Sequence, residues 1–142
     1  MQEITFEGAL DQIIAKDPRY HGDAYLFVRD ALEFTQKLRT KESPGPVRHV
    51  SGQELLEGIR QYALAQFGPM AQTVLAEWGV RNCGDFGEIV FNMVEIGLLA
   101  KTENDSRADF YNGYDFHEVF RKPFLPAGKL DAQPADTKST EV

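Results

Sequence analysis

The chain has 142 residues, of which 42% are hydrophobic and 11% aromatic, and its formal net charge is −7. This length fits one domain, or a small domain with an appended segment, and the apolar content can build a core, which argues against global disorder. The negative charge disfavours binding to phosphate backbones and to anionic membrane surfaces.

The cysteine content and the N-terminal residues bear on the compartment. The single cysteine, Cys83, cannot form an internal disulfide, which favours a reducing cytoplasm. The first ten residues carry acids and no basic segment, so they do not match a signal peptide. No apolar run approaches the roughly 18 to 20 residues that span a bilayer. We therefore expect a soluble cytoplasmic protein that makes no contact with a membrane.

The N-terminal third predicts two helices and a linker. The first helix carries apolar residues at helical spacing from Phe6 to Ile14, and Pro18 ends it. The second helix covers residues 23–38. Two prolines and a glycine within residues 44–46 mark the clearest boundary in the chain. We assign residues 1–47 to an N-terminal helical hairpin with its linker.

Three more helices follow the boundary. Ser51 and Glu54 form a capping-box pattern that opens the third helix. Gly68 and Pro69 separate it from a fourth helix, which ends at Gly79. A fifth helix is predicted from about residue 85 to residue 97. The core stripe of this fifth helix consists of Phe86, Ile89, Val90, Met93 and Val94.

The stretch after the fifth helix predicts a β hairpin. Residues 98–101 and 107–111 are interpreted as two strands around a polar turn, and the Asn112-Gly113 pair favours a tight turn before a short strand at 114–116. A last helical turn is predicted between Phe116 and Phe120, ahead of Pro123. Residues 123–142 are interpreted as a disordered tail, because residues 126–142 lack aromatics and any apolar period.

These elements predict a mainly α fold with a small antiparallel β hairpin. The hairpin would make residues 48–122 a winged-helix module, that is, a helix-turn-helix followed by a wing. The N-terminal helical hairpin is expected to pack on this module, so that the two parts form one compact unit. The alternative is an unrelated α+β domain with the same order of elements.

Several stretches carry a resemblance to a known family. RYHGDAYLFVRDALEFT, HVSGQELLEGIRQYALAQFGPMAQTVLAEWGV, GEIVFNMVEIGLL and YDFHEVF resemble conserved hypothetical proteins found mainly in planctomycete and verrucomicrobial bacteria. The resemblance covers residues 1 to about 124. That family has no known activity, so it implies no catalytic or binding residues for this chain. Residues 51–116 resemble winged-helix regulators in shape alone.

The fifth helix argues against DNA binding through the last helix and the wing. A helix that reads the major groove presents basic or amide side chains to base edges and phosphates. No lysine or arginine lies between residues 85 and 100. Each carboxylate held near a phosphate costs on the order of 1 kcal/mol even in water. The stripe opposite the core, which we call the acidic stripe, consists of Asp85, Glu88, Asn92 and Glu95.

A basic cluster at the end of the second helix keeps a nucleic-acid hypothesis open. It consists of Lys37, Arg39, Lys41 and Arg48. One interpretation is a solvated helix end whose cations complement the helix dipole. The other is an edge that contacts phosphates, which would make the protein a regulatory nucleic-acid binder.

The sequence contains no strong enzyme motif. Cys83 lies near the N-terminus of the fifth helix, where the dipole can lower a thiol pKa, but Asp85 opposes a thiolate. The three histidines, at positions 21, 49 and 117, could meet Cys83 only in space, and none forms an i, i+4 metal pair. Dinucleotide, Walker and nucleophile-elbow motifs are absent from the sequence. We therefore predict no catalytic residue, metal ligand or cofactor, and an enzyme of unknown type is the third hypothesis.

Phe91 and Leu98 lead to the main hypothesis. Both lie outside the core stripe, beside the acidic stripe, so the N-terminal helices or a partner must cover them. An oligomer or partner interface here would have an aromatic anchor and a rim formed by the acidic stripe, which would select a basic partner. The sequence therefore predicts a non-enzymatic module for protein interaction or self-association.

Overall fold

The computed structural model describes residues 5–42 and 49–126, and this part of the chain is helical. The five α-helices are α1 (Phe6–Lys16), α2 (Gly22–Glu42), α3 (Gly52–Phe67), α4 (Ala71–Glu77) and α5 (Cys83–Glu95). Short 3-10 turns lie at Gly68–Met70, Arg107–Phe110 and Lys122–Phe124, and a π turn lies at His117–Arg121. The predicted linker residues 43–47 and most of the predicted tail, 127–142, lie outside the described residues.

Side-chain caps set where the long helices begin. The predicted capping box of α3 is confirmed: the Glu54 amide donates to Ser51 Oγ at 3.2 Å, and the Ser51 amide donates to the Glu54 carboxylate at 3.0 Å. Asn82 Oδ1 accepts from the Asp85 amide at 3.0 Å. This cap begins α5 at Cys83, two residues before the predicted start.

The hydrophobic core joins the N-terminal helices to the rest of the molecule. α2 packs along α3 and also contacts α5, which explains why its apolar stripe is too wide for one neighbour. An aromatic cluster of Phe27, Tyr62, Phe67 and Trp78 links α2, α3 and the end of α4, with ring centroids 5.4–5.8 Å apart. The buried core contains residues from α1 and α2 together with residues from α3, α4 and α5.

The predicted antiparallel β hairpin is wrong, and with it the winged-helix module. No strand occurs at residues 5–42 or 49–126. The stretch predicted as the second strand begins as the 3-10 turn Arg107–Phe110. Ser106 and Asp109 form a second capping box, which turns the chain at this point. The alternating aromatic residues at 107–116 are typical of a strand, but the capping box at Ser106 and Asp109 favours a helical turn.

Phe110 explains how this turn packs. Its side chain is 2% exposed and lies between α3 and α5 at two glycines. A Cβ atom at Gly52 or Gly87 would come within 3.1 or 2.9 Å of Phe110. The absence of side chains at these two glycines therefore makes room for Phe110. The residues that follow turn again and send Phe116 and Phe120 into the core. The predicted last helical turn is present as the π turn, whereas the predicted strand at 114–116 is absent.

No helix within the described residues has the length and apolar character required to cross a bilayer.

Candidate functional site

The acidic stripe of α5 is covered by the turn between α1 and α2. Asp85 accepts a hydrogen bond from the Tyr20 hydroxyl at 2.6 Å and another from the Arg81 amide at 2.9 Å. Glu88 pairs with Arg19 at 3.2 Å and with Arg107 at 3.5 Å. These carboxylates are therefore held by partners within the chain.

The same turn also binds the side-chain amide of Asn92, the uncharged member of the acidic stripe. Asn92 donates to the Asp17 carboxylate at 2.9 Å and to the Tyr25 hydroxyl at 3.0 Å. Arg19 donates twice to Asp17, at 2.8 and 2.7 Å. The hydrogen bonds from Arg19 hold the pKa of Asp17 well below its usual range, because they stabilise the carboxylate. Asp17 is thus a charged joint between the α1–α2 turn and α5.

Glu95 and the neighbouring Phe91 also have contacts within the chain. Glu95 pairs with Lys16 at 3.7 Å and with Arg107 at 3.6 Å, both on exposed side chains. The Arg107 guanidinium lies over the Phe91 ring, 5.2 Å from its centroid. Phe91 is 8% exposed. Intramolecular contacts therefore account for all four residues of the acidic stripe and for one face of Phe91.

The other side of Phe91 opens on a cavity. Phe91 and Leu98, the two apolar residues predicted to need a partner, both line a cavity of about 290 Å³. α2 contributes Leu32, and the first turn of α3 contributes Leu55. We call this space the α2–α5 cavity. Its remaining apolar lining consists of Val50, Val90, Val94, Leu99, Ala100 and Phe110.

Polar groups line the mouth of the α2–α5 cavity. Asp105 Oδ2 lies 2.6 Å from His49 Nε2 and accepts from the Thr102 amide at 2.9 Å. Burial raises the pKa of Asp105, but the hydrogen bonds from Thr102 and His49 outweigh it, so the pKa lies below the ordinary value. Asp109 Oδ2 accepts from the Ser106 amide at 3.0 Å.

Two carboxylate oxygens and the Lys101 cation at this mouth have no partner among the described residues. Oδ1 of Asp105 and Oδ1 of Asp109 accept no hydrogen bond from the described residues, because the bonds above all use Oδ2. Lys101 is exposed and forms no ion pair with another described residue. Gln36 and Ser51 complete the polar lining. The arrangement is one of binding: an apolar floor with anionic groups at its edge.

Cys83 does not join a histidine. Its thiol is buried and donates to the Tyr114 carbonyl at 3.4 Å. Burial raises the pKa of this thiol, because the thiolate would lose its solvation. Cys83 is not among the residues that line the α2–α5 cavity. In residues 5–42 and 49–126 no group of three or more histidine, cysteine or acidic side chains could hold a metal ion.

The residues of the basic cluster have different partners. Lys37 pairs with Glu33 at 3.9 Å, and Arg39 pairs with Glu54 at 2.7 Å. Lys41 is exposed, and Arg48 lies outside the described residues. Because Arg39 is committed to the capping-box glutamate, it lies against α3 instead of projecting from the helix end. The nucleic-acid hypothesis stays a prediction.

Sequence reasoning did not identify the polar mouth of the cavity. The sequence predicts no role for Asp105 or Asp109, and it presents His49 only as one of three histidines that could meet Cys83. The signal that could have found them is the stretch SRAD at 106–109, a second capping-box pattern. It predicts a helical turn that begins at Ser106, and the packing of that turn brings both aspartates to the start of α3.

The fold and the cavity together define the class of this protein: an all-helical domain, in its described residues, with a candidate binding cavity between α2 and α5. Comparison with known proteins returned no match among family models, curated proteins or solved structures. The resemblance to the planctomycete and verrucomicrobial family stays a prediction, which these comparisons do not test.

Proposed function

We propose that the protein is a non-enzymatic interaction module that receives an apolar side chain of a partner protein in the α2–α5 cavity. The observation that carries this proposal is the position of Phe91 and Leu98 in the lining of the cavity. Apolar residues gathered around a concave site, with polar groups at the rim, are the usual features of an interface anchor site.

The size of the cavity is compatible with a side chain as its occupant. At about 290 Å³, the α2–α5 cavity lies at the lower end of pockets for ligands and cofactors, which measure about 300–1,000 Å³. A space of this kind suits one or two anchoring side chains. Half of the apolar lining lies on α2, α3 and α5 and is held by regular structure, which reduces the cost of ordering the site on binding.

The proposal excludes the acidic stripe as the contact surface. Asp85, Glu88 and Asn92 hold the α1–α2 turn, so a partner that used them would have to displace these contacts. The α2–α5 cavity requires no such displacement. Its occupation would bury apolar surface that the fold leaves accessible, at about 25 cal/mol for each Å².

Selection from a peptide library tests this function. We expect random peptides displayed on phage to be enriched on the native protein and to be anchored by an apolar residue. Ala100 lines the cavity and is exposed, so Ala100→Trp would obstruct the mouth. The selected peptides should bind Ala100→Trp at least about tenfold more weakly, the loss typical of a disrupted anchor site.

An exposed alanine elsewhere supplies the matched control. Ala65, on α3, is exposed and does not line the cavity, so Ala65→Trp should leave peptide affinity unchanged. Circular dichroism of both variants checks that the fold persists. Equal affinities of the selected peptides for the native protein and Ala100→Trp, or no enrichment at all, would refute the proposed function.

A cytoplasmic location is also part of the proposal. It is supported by the single cysteine, whose buried thiol donates to a backbone carbonyl and therefore fits a compartment in which thiols stay reduced. Microscopy of a fluorescent fusion in the native cell would place the protein elsewhere if this is wrong.

A further inference from the structure

We infer that the partner segment carries a lysine or arginine next to its apolar anchor, and that this cation binds at the carboxylates of Asp105 and Asp109. The inference rests on the proposed function, because it assigns the chemistry of the group at the mouth while the anchor fills the floor. It commits to a peptide segment of another protein as the occupant of the α2–α5 cavity.

Unused acceptor capacity is the first observation behind this inference. Each of the two aspartates spends Oδ2 on contacts within the chain, and Oδ1 of each has no donor among the described residues. A carboxylate has two oxygens and about four sites that accept hydrogen bonds. An ammonium or guanidinium group brings several donors and a positive charge, so it matches these acceptors.

Protonation is the second observation. The hydrogen bonds from Thr102 and His49 hold the pKa of Asp105 below its ordinary value, so this group is an anion at neutral pH. Asp109 accepts a hydrogen bond from the Ser106 amide at 3.0 Å, which holds its carboxylate in place. The mouth therefore carries two carboxylates held in place by the backbone, which reduces the cost of orienting them when a cation binds.

The neighbouring cations do not cancel this preference. Arg107, which lies between the two aspartates in sequence, is engaged with Glu88 and Glu95. His49 is shared with Asp105. Lys101 is the lining residue that opposes a cationic partner, because it forms no ion pair with another described residue. Charge complementarity thus favours a basic segment, with Lys101 as the group that weakens its binding.

Lys101 allows a test that looks for a gain of affinity instead of a loss. The probe is a library-selected peptide, made in two forms: one with lysine beside the apolar anchor, and one with norleucine, which keeps the methylene chain and removes the charge. Lys101→Glu should tighten binding of the lysine form by about threefold to tenfold at low salt, through charge alone. The norleucine form should bind both proteins equally.

The control variant is Lys41→Glu. Lys41 is exposed, forms no ion pair with another described residue, and does not line the α2–α5 cavity. It makes the same change in net charge at a distance, where salt screens it. The affinity of the lysine form should therefore change much less with Lys41→Glu, and raising the salt concentration should remove most of the gain seen with Lys101→Glu.

The outcomes separate this inference from the function on which it rests. If the lysine and norleucine forms bind the native protein equally, or if Lys101→Glu does not tighten the lysine form, the basic partner is refuted. The proposed function survives that result as long as Ala100→Trp still weakens peptide binding by at least about tenfold. If Ala100→Trp has no effect, both proposals fail together.

Discussion

At the scale of single residues, Gly79 decides how the α4–α5 corner meets the turn between α1 and α2. Its φ is +91°, in the left-handed region that favours glycine. A Cβ atom at this position would overlap the carbonyl oxygen of Arg19. The neighbouring Trp78 carbonyl accepts from the His21 amide at 3.0 Å. Gly79 therefore serves two purposes, a backbone conformation and a close approach.

A pair of glycine substitutions separates these two purposes. Gly97 has a similar φ of +88° but nothing near its Cβ position. We expect Gly97→Ala to lower the free energy of unfolding by about 1 kcal/mol, the cost of the conformation alone. Gly79→Ala should lower it by at least about 2 kcal/mol more, because the Arg19 carbonyl must also move. Urea unfolding of both variants measures the difference, and equal losses would contradict the close approach.

At the scale of elements, one contact sets how closely α2 and α3 pack. Thr35 is 3% exposed, and its hydroxyl donates to the Ala31 carbonyl at 2.7 Å. It lies directly against Gly58 of α3, where a Cβ atom would overlap the Thr35 side chain. The missing side chain at Gly58 is thus what lets the two helices approach.

Gly58→Ala should therefore destabilise the protein, although alanine is the better helix former. Because the Cβ atom would overlap the Thr35 hydroxyl, we expect an overpacking cost of about 2–3 kcal/mol, which exceeds the gain of about 1 kcal/mol in helix propensity. Thr35→Ala removes the atoms that overlap most, so the double variant should recover part of the loss. Denaturant unfolding of the four proteins gives the coupling free energy. Strictly additive losses would show that the two positions do not touch.

At the scale of the whole molecule, a polar joint, by which we mean the hydrogen-bonded contacts of Asp17 and Arg19 with α5, holds the N-terminal helices against α5. Asp17 contacts Arg19 and Asn92 at once, and Arg19 continues to Glu88. The same part of the fold binds Asp85, Glu88 and Asn92 of the acidic stripe. The α2–α5 cavity lies beside it and is lined by Val90, Phe91 and Val94 of α5.

The joint predicts a dependence of stability on pH. The pKa of Asp17 is lower in the folded chain than in the unfolded one, because Arg19 and Asn92 bind the carboxylate. The unfolded chain therefore takes up the extra proton as the pH falls. The stabilisation is complete above the unfolded pKa, near ~4, and is lost as the pH falls towards the folded value.

Asp17→Asn tests this dependence. At neutral pH we expect the free energy of unfolding to fall by about 2 kcal/mol, the size of a hydrogen bond to a charged group. The difference from the native protein should shrink as the pH falls below ~4. Asp11→Asn is the control, because Asp11 is an exposed acid of α1 with no ion pair to a described residue. A constant difference across the pH range would contradict the role of Asp17.

Local signals in the sequence predicted much of the helical fold. The capping box at Ser51 and Glu54 fixed the start of α3, and the apolar period of α5 predicted its buried face. The hairpin prediction is wrong because the capping box at Ser106 and Asp109 starts a 3-10 turn where the aromatic alternation at 107–116 favoured a strand. That alternation records which side chains reach the core, but it does not show that their backbone pairs with another strand.

The candidate site was predicted in part. Phe91 and Leu98 stood out because their positions fall outside the core stripe of α5, and both line the α2–α5 cavity. The acids that line this cavity are Asp105 and Asp109, whereas the sequence predicted a rim formed by the acidic stripe. Charges on one helix reveal their spacing along that helix, and they cannot reveal that Arg19, 69 residues from Glu88 in sequence, reaches it first.

The sequence by itself determined the helices, their caps and the pair of apolar residues that needed cover, because these follow from interactions within a few residues. The tertiary structure alone decided which acids are spent on the fold and which are left at the mouth of the cavity. The reason is physical: a carboxylate pairs with whichever cation packing brings within reach, so its availability depends on contacts between segments that are distant in sequence.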